Sequence, residues 1–254
     1  MDGYESDLWP LVYDQYNHGR HEMELELYSV EVAQCCGPIL EAACGTGMIL
    51  LPLLAQGLDM YGFDISRQML EVLFAKAAKL EIHNIQSRVS RQDMTTFRYD
   101  MRFDAILIPA RSFLHLTTRE AQEACLSNVA RHLEDGGRAM LNFFTPNEEA
   151  LSRFAEGQKD WAPFETYKHP ETGEDVRVSR RLQSSMAEQL FTTYWRFEFG
   201  GSSRETQWTV RWIHRQEFES LAEGAGLRVA GLYGGFKKEP YDGKDEMYWV
   251  LEKR

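Results

Sequence analysis

The sequence predicts an α/β fold in which helices cover both faces of a mostly parallel sheet. Short apolar segments alternate with helical patterns through the first half of the chain, and parallel β-α-β units require this order. A glycine turn follows the first apolar segment, and a helix capped by a serine follows the second. After about residue 150, three strand patterns follow one another without a helix, which indicates an antiparallel insertion.

Composition excludes several classes of protein. The 254-residue chain is long enough for one α/β domain, and its net charge of −11 disfavours a nucleic-acid partner, since phosphate binding usually needs a basic face. The longest apolar run, residues 48–55, is too short to span a bilayer. The four cysteines form no C-x-x-C pair, and the acidic N-terminus is unlike a secretion signal. We expect a cytoplasmic protein that binds neither nucleic acid nor membranes.

Local signals predict each element in turn. In the first half they give strands at 38–44, 59–64, 85–89, 103–108 and 138–144, with helices at 48–56, from the cap Ser66 to Leu80, and from a capping box at Thr117 to the glycine pair at 136–137. The later elements are strands at 176–185, 191–199 and 206–214, a helix at 215–224, and strands at 227–233 and 247–251. A helix over 22–32 would bury Met23, Leu27 and Val30.

We predict a single domain over residues 1–254. Its parts are a helical lid at 1–37, a ligand-binding half at 38–145, the antiparallel insertion at 170–214, and a closing helix and strands at 215–254. In the insertion, Trp195 and Phe197 alternate with polar residues and are expected to face a core. An aromatic acceptor pocket or a homodimer face is the alternative for these aromatic residues.

The strongest signal is the turn that holds Gly45 and Gly47. It lies between a strand and a helix, where glycines let the backbone turn sharply and approach a ligand. A dinucleotide fingerprint would need a third glycine at the position of Leu50, and the sequence has no phosphate-binding P-loop. Glu41 precedes the turn, and its negative charge suits a cationic ligand. Asp64 ends the next strand, where an acid can accept both hydroxyls of an adenosine ribose.

In these motifs the sequence resembles the class I S-adenosylmethionine-dependent methyltransferases, whose fold is Rossmann-like. The resemblance covers roughly residues 38–145, with the motifs in the family's order. It implies S-adenosylmethionine as cofactor and Asp93 as the acid that meets the adenine amino group. The cofactor-binding residues that it implies are Tyr13, Arg20, Glu41, Ala43, Gly45, Gly47, Asp64, Ile65, Asp93, Met94 and Pro109.

The flanks are similar to small-molecule methyltransferases, among them the dTDP-aminosugar N,N-dimethyltransferases. This similarity implies methyl transfer to an amine or hydroxyl of a small acceptor, with His115 and Tyr13 as the catalytic residues: Tyr13 folds over the cofactor and His115 faces the acceptor. An imidazole with an ordinary pKa near 6.5 would suit proton transfer there. For each residue a structural alternative stays open: Tyr13 packs the helix, Arg20 forms a surface salt bridge, and His115 only holds its loop.

The sequence supports other functions less well. A nucleic-acid or protein methyltransferase would use the same fold, and a non-catalytic protein would bind the cofactor without turnover. We expect no metal site, because His18 and His21 have no third ligand motif elsewhere in the sequence. Ser112 lacks the glycine-flanked turn of a hydrolase nucleophile.

Overall fold

The computed structural model describes residues 8–254, so residues 1–7 of the predicted lid lie outside the described residues. The helices are α1 (Trp9–Val32), α2 (Leu50–Ala55), α3 (Arg67–Lys79), α4 (Arg119–His132), α5 (Glu148–Ser152) and α6 (Arg215–Gly224). The strands are β1 (Ile39–Ala42), β2 (Met60–Asp64), β3 (Val89–Arg91), β4 (Phe103–Ile108), β5 (Leu133–Phe144), β6 (Ala162–Lys168), β7 (Asp175–Ser185), β8 (Leu190–Phe199), β9 (Ser202–Arg211), β10 (Leu227–Gly234), β11 (Glu239–Pro240) and β12 (Glu246–Lys253).

The larger sheet has the strand order β11-β10-β12-β5-β4-β1-β2-β3 within the described part of the chain. Strands β3, β2, β1, β4 and β5 are parallel, as predicted, whereas β12 pairs antiparallel with both of its neighbours, β5 and β10. From β1 the chain first builds the sheet towards β3 and then returns to β4 on the other side of β1. Ligands of such sheets bind where the strand order reverses, at the carboxyl ends of β1 and β4.

The second sheet is antiparallel, with the order β6-β7-β8-β9. The predicted alternation is confirmed in β8, where Trp195 and Phe197 are buried and pack against Trp9 of α1. The insertion begins earlier than the predicted residue 170, because β6 pairs with β7. Strand β6 escaped prediction since Pro163 and most of its neighbours are exposed, which removes the apolar alternation.

The lid is one long helix, α1, and its predicted apolar face is confirmed only at Leu27, which is 5% exposed. Met23 and Val30 are 46% and 68% exposed, whereas Glu24 and Tyr28 are fully buried. The reason is that the middle of α1 packs on the sheet through buried polar groups as well as through the apolar core. Tyr28 donates a hydrogen bond to Asn142 of β5 at 2.8 Å, and Asn142 donates to Glu24 at 3.0 Å.

Helix α3 confirms its predicted cap, because Ser66 accepts the Met69 N–H at 3.3 Å, and the helix buries Met69, Leu70, Leu73 and Ala77. The start of α4 is displaced, because Thr118 rather than Thr117 accepts the Ala121 N–H. Its end is displaced too, because β5 already begins at Leu133 and includes the glycine pair expected to stop the helix.

The third strand also lies further along the chain than predicted. Residues 85–87 form a single 3-10 turn and only 89–91 pair with β2. Within residues 8–254, none of the helices has the length and apolar character that a bilayer crossing requires.

Candidate active site

The glycine turn leaves β1 in a left-handed conformation. Ala43, Gly45 and Gly47 all have positive φ angles, of 57°, 52° and 79°. A Cβ on Gly47 would lie 2.9 Å from the side chains of Leu51 and Leu73, so α2 and α3 pack directly against the turn. Gly47 therefore shapes the turn from behind, whereas Gly45 lines the cavity in front of it.

Asp64 ties this turn to the start of α3. Its two carboxylate oxygens accept hydrogen bonds from the backbone N–H of Gly45 and of Ser66, both at 2.8 Å. The side chain is 8% exposed, and burial raises its pKa although these hydrogen bonds oppose the shift. The acid is thus fixed in place with its remaining lone pairs at the cavity wall.

Asp93 lies after β3 and is fixed in a similar way. One of its oxygens accepts hydrogen bonds from both the backbone N–H and the hydroxyl of Thr95, each at 2.7 Å. The residue lines the same cavity as Asp64. Both predicted acids therefore lie at the carboxyl ends of neighbouring strands, Asp64 at the end of β2 and Asp93 after β3.

The cavity occupies about 250 Å³ at this edge of the sheet. The predicted site residues on its wall are Tyr13, Ala43, Gly45, Asp64, Ile65, Asp93, Met94 and His115. Residues that the sequence did not predict as cofactor or acceptor ligands complete it: Phe63, Met69, Gln92, Ala110, Ser112 and Leu116. Phe63, Gln92 and Ala110 lie at or within two residues of the carboxyl ends of β2, β3 and β4, whereas Met69 reaches the wall from α3.

A smaller pocket adjoins the cavity and shares Tyr13, Ala43, Gly45 and Ala110 with it. Glu41 and the predicted residue Pro109 line this pocket. Burial raises the pKa of Glu41 well above its usual range, and the charges of Asp64 and Glu24 add to the effect. The Leu50 backbone N–H donates to the Glu41 carboxylate, while Oε2 has no hydrogen-bond partner.

Comparison with known proteins identifies this part of the chain. Residues 39–137 match the sequence profile of the family described as "Methyltransferase domain". The matched residues run from β1 to the start of β5 and contain the glycine turn and both acids of the cavity. The chain is an S-adenosylmethionine-dependent methyltransferase.

Relatives cover most of this methyltransferase. A cypemycin N-terminal methyltransferase from a Streptomyces species is 26% identical over 85% of the chain and 83% of the relative. A dTDP-3-amino-3,4,6-trideoxy-alpha-D-glucopyranose N,N-dimethyltransferase from Streptomyces venezuelae is 27% identical over 78% of each protein. The solved structure of the CcbJ methyltransferase from Streptomyces caelestis has a TM-score of 0.77 at 20% identity, covering 99% of this chain and 98% of that one, which shows a shared fold.

The residues of the methyltransferase fit its cofactor. Asp64 and Asp93 offer acceptor oxygens for hydroxyl and amino groups of an adenosine, and Glu41 offers a buried carboxyl group whose Oε2 has no hydrogen-bond partner within the described part of the chain. A ligand that carries an ammonium and a sulfonium would supply positive charge beside Glu41. S-adenosylmethionine, when bound, supplies an electrophilic methyl group on sulfur.

Arg20 is placed away from both cavities. Its guanidinium lies 3.2 Å from Glu24 and 3.4 Å from Glu246, and its side chain is 25% exposed. The salt-bridge alternative therefore describes its contacts, although the bridge is half-buried and not on the surface. A role for Arg20 towards the cofactor stays a prediction that these contacts do not favour.

His115 ends a 3-10 turn after β4, and two consecutive left-handed residues, Ala110 and Arg111, lead into it. The ring lies 6.3 Å from that of Trp208 and is hydrogen-bonded to the backbone of Thr209. Burial lowers its pKa to about 4, so the expected ordinary pKa is wrong. The ring is neutral near pH 7 and is a weak base.

Tyr13 lies on α1, across the cavity from the glycine turn, with its ring 6.0 Å from that of His21. Burial raises its pKa well above the usual range, and Glu24 adds to the shift. The phenol therefore keeps its proton. Among residues 8–254, no group of three or more histidines, cysteines and acids is placed to hold a metal ion.

Proposed function

We propose that this methyltransferase transfers the methyl group of S-adenosylmethionine to an amine nitrogen of a small-molecule acceptor. The observation that carries the proposal is the single cavity whose wall includes Asp64, Asp93, Tyr13 and His115. It joins the residues suited to the cofactor with a neutral imidazole at the same edge of the sheet. An acceptor beside His115 would share this cavity with the cofactor.

The neutral state of His115 supports an orienting role. An amine attacks through its lone pair, the methyl–sulfur bond breaks with its electrons passing to sulfur, and the new ammonium later loses a proton to solvent. Because the pKa of His115 is about 4, its ring accepts a hydrogen bond from the amine N–H more readily than a whole proton. Alignment of the nitrogen with the methyl group is then the main contribution of the protein.

Tyr13 closes the cavity from above. Its pKa is raised, so its hydroxyl acts as a hydrogen-bonding group and not as a base. The aromatic cluster of Trp9, Tyr16 and Trp208 continues this cover towards His115. Such a cover excludes water from the transfer step.

The names of the relatives favour nitrogen over oxygen. One is named for a peptide N-terminus and the other for an amino sugar, and both are N-methyltransferases by name. The net charge of −11 weighs against a nucleic-acid acceptor. A cytoplasmic location stays a prediction. A homodimer through the antiparallel sheet also stays a prediction, and the surface it would use is the outer face of that sheet, where Arg181 and Arg196 stack on Trp161.

Turnover with a panel of acceptors tests the proposal. The panel contains nucleotide-linked amino sugars, short peptides with a free N-terminus, and phenols, each incubated with S-adenosylmethionine and followed by mass spectrometry. We expect a gain of methyl mass on an amine, and a loss of about tenfold or more in kcat for His115→Ala at unchanged cofactor affinity. Methylation of phenols alone, or full activity in a folded His115→Ala protein, would contradict the proposal.

A further inference from the structure

The middle of α1 buries polar groups beside the cofactor cavity. Asn17, His21 and Glu24 face inward and are 7%, 6% and 0% exposed. Two of them form hydrogen bonds within the protein: Asn17 donates to the Tyr13 carbonyl, and one Glu24 oxygen accepts from Asn142. His21 is different, because neither of its ring nitrogens has a partner with hydrogen-bond geometry among residues 8–254.

His21 lines the smaller pocket together with Glu41. Its Nδ1 lies 3.4 Å from Oε2 of Glu24, within ion-pair distance but without hydrogen-bond geometry. Although burial raises the pKa of Glu24, the neighbouring His21, Arg20 and Asn142 hold it below its usual range, so Glu24 is a carboxylate. The inner edge of the imidazole therefore faces a hydrogen-bond acceptor.

The pocket thus contains two buried groups that lack hydrogen-bond partners among the described residues. One is a hydrogen-bond acceptor and the other can donate a hydrogen bond. Glu41 Oε2 accepts hydrogen bonds from a cation, and the imidazole of His21 donates hydrogen bonds to an anion. An α-amino acid carries both an ammonium and a carboxylate on one carbon atom. The sulfur-containing amino acid of the cofactor is the ligand part with this pair of charges.

We propose that His21 binds the carboxylate of the cofactor's amino-acid end, opposite Glu41, which receives its ammonium. The assignment rests on the methyl-donor role that the proposed function gives the cavity. It replaces the prediction for Arg20, whose guanidinium is engaged by Glu24 and Glu246 and lines neither cavity. Glu24 then acts as a positioning residue that holds the inner edge of the imidazole.

Calorimetry with two matched ligands tests the assignment. S-adenosylhomocysteine carries the carboxylate, and its decarboxylated analogue, which has a 3-aminopropyl chain, lacks only that group. In His21→Leu we expect the affinity for S-adenosylhomocysteine to fall about ten- to hundredfold, as for a hydrogen bond to a charged group. The affinity for the decarboxylated analogue stays within about twofold of wild type, because the rest of the ligand is unaffected.

Three further variants make the test specific. His21→Gln retains a donor and recovers part of the preference for the carboxylate, and it replaces the leucine variant if that protein does not fold. His18→Leu lies one turn earlier on the exposed face of α1 and changes neither affinity. Arg20→Gln weakens both ligands by the same factor or leaves both unchanged.

Two results would overturn the assignment. In the first, both ligands weaken equally in the His21 variants, which indicates a structural role only. In the second, Arg20→Gln removes the preference for the carboxylate while His21→Leu keeps it. If wild type binds neither ligand, the cofactor site itself fails, whereas binding without turnover of any acceptor refutes only the proposed function.

Discussion

The two sides of the cavity are built by different forces. The floor consists of the loops that follow β1 to β4, at residues 43–47, 64–66, 92–95 and 109–116, and the cover consists of the first half of α1 with the inner face of the antiparallel sheet. In the floor, backbone N–H groups bond to buried acids such as Asp64. In the cover, aromatic rings pack together: Trp9 lies 5.0 Å from Trp195 and 4.4 Å from Trp208.

This difference separates the two ligands. Hydrogen bonds from fixed backbone groups depend strongly on direction, so the floor is suited to one ligand with defined hydroxyl and amino groups. Aromatic packing depends mainly on buried area, so the cover can change its side chains and accept another acceptor without altering the floor. The methyltransferase sequence profile accordingly matches the floor and none of the cover.

Glu246 joins the two sides. It is 5% exposed and lies at the start of β12. It accepts hydrogen bonds from Arg111 of the floor, at 2.5 and 3.0 Å, and from Arg20 of the cover helix at 3.4 Å. Asn142 of β5 donates to it at 2.8 Å. The loop that carries His115 and the helix that carries Tyr13 therefore both bind the Glu246 carboxylate, through Arg111 and Arg20 respectively.

The largest expected effect comes from the cover. Trp195 is 1% exposed and contacts Trp9, Trp208 and Phe164, so Trp195→Ala leaves a cavity in the aromatic cluster. We expect it to lower the free energy of unfolding by about 3–5 kcal/mol, measured by urea denaturation. The affinity of the folded variant for S-adenosylhomocysteine should stay within about twofold of wild type, because the floor is intact.

Trp161→Ala is the matched control for this change. Trp161 lies on the outer face of the same sheet and is only partly buried, between Arg181 and Arg196. Its loss should cost about 1 kcal/mol or less. A Trp195→Ala protein that is stable but no longer binds S-adenosylhomocysteine would show that the floor depends on the cover.

A smaller effect concerns the boundary between the two sides, at His115. Its pKa is about 4 in the folded protein and near 6.5 when unfolded. As the pH falls below 6.5, His115 binds a proton in the unfolded chain but stays neutral in the folded protein. This difference lowers the free energy of unfolding. Above pH 6.5 it contributes nothing. The loss amounts to roughly 2 kcal/mol at pH 5.

His115→Gln removes this titration. We expect the difference in unfolding free energy between about pH 7 and pH 5 to be smaller in the variant by roughly 2 kcal/mol. Comparison with wild type is necessary because Glu41 and Asp64 have raised pKa values and act in the opposite direction on acidification. Identical pH dependence in the two proteins would place the His115 ring in water.

The floor was largely predictable from the sequence because its signals are local. Strand β2, the cap Ser66 and the positions of Gly45 and Asp64 follow from a few neighbouring residues, and the structure confirms these elements. Their roles towards the cofactor stay predictions. The third strand was misplaced because Ile85, although buried, belongs to a turn.

The cover was less predictable because long-range contacts decide it. The inward face of α1 is set by Glu24, which finds its partner Asn142 more than a hundred residues away. Helical periodicity of apolar residues could not show this, and it selected Met23 and Val30, which are exposed. The low pKa of His115 likewise results from burial beneath β9, which no local pattern encodes.

One calorimetric comparison tests most directly whether the floor binds the cofactor. S-adenosylhomocysteine is titrated into wild type and into Asp64→Ala, with ATP and NAD as control ligands. We expect saturable binding to wild type, no binding of either control ligand, and a loss of about 1.5–3 kcal/mol in the variant, because the ribose hydroxyls lose a charged acceptor. An unchanged dissociation constant in a folded Asp64→Ala protein, or no heat with wild type at millimolar ligand, would contradict this account.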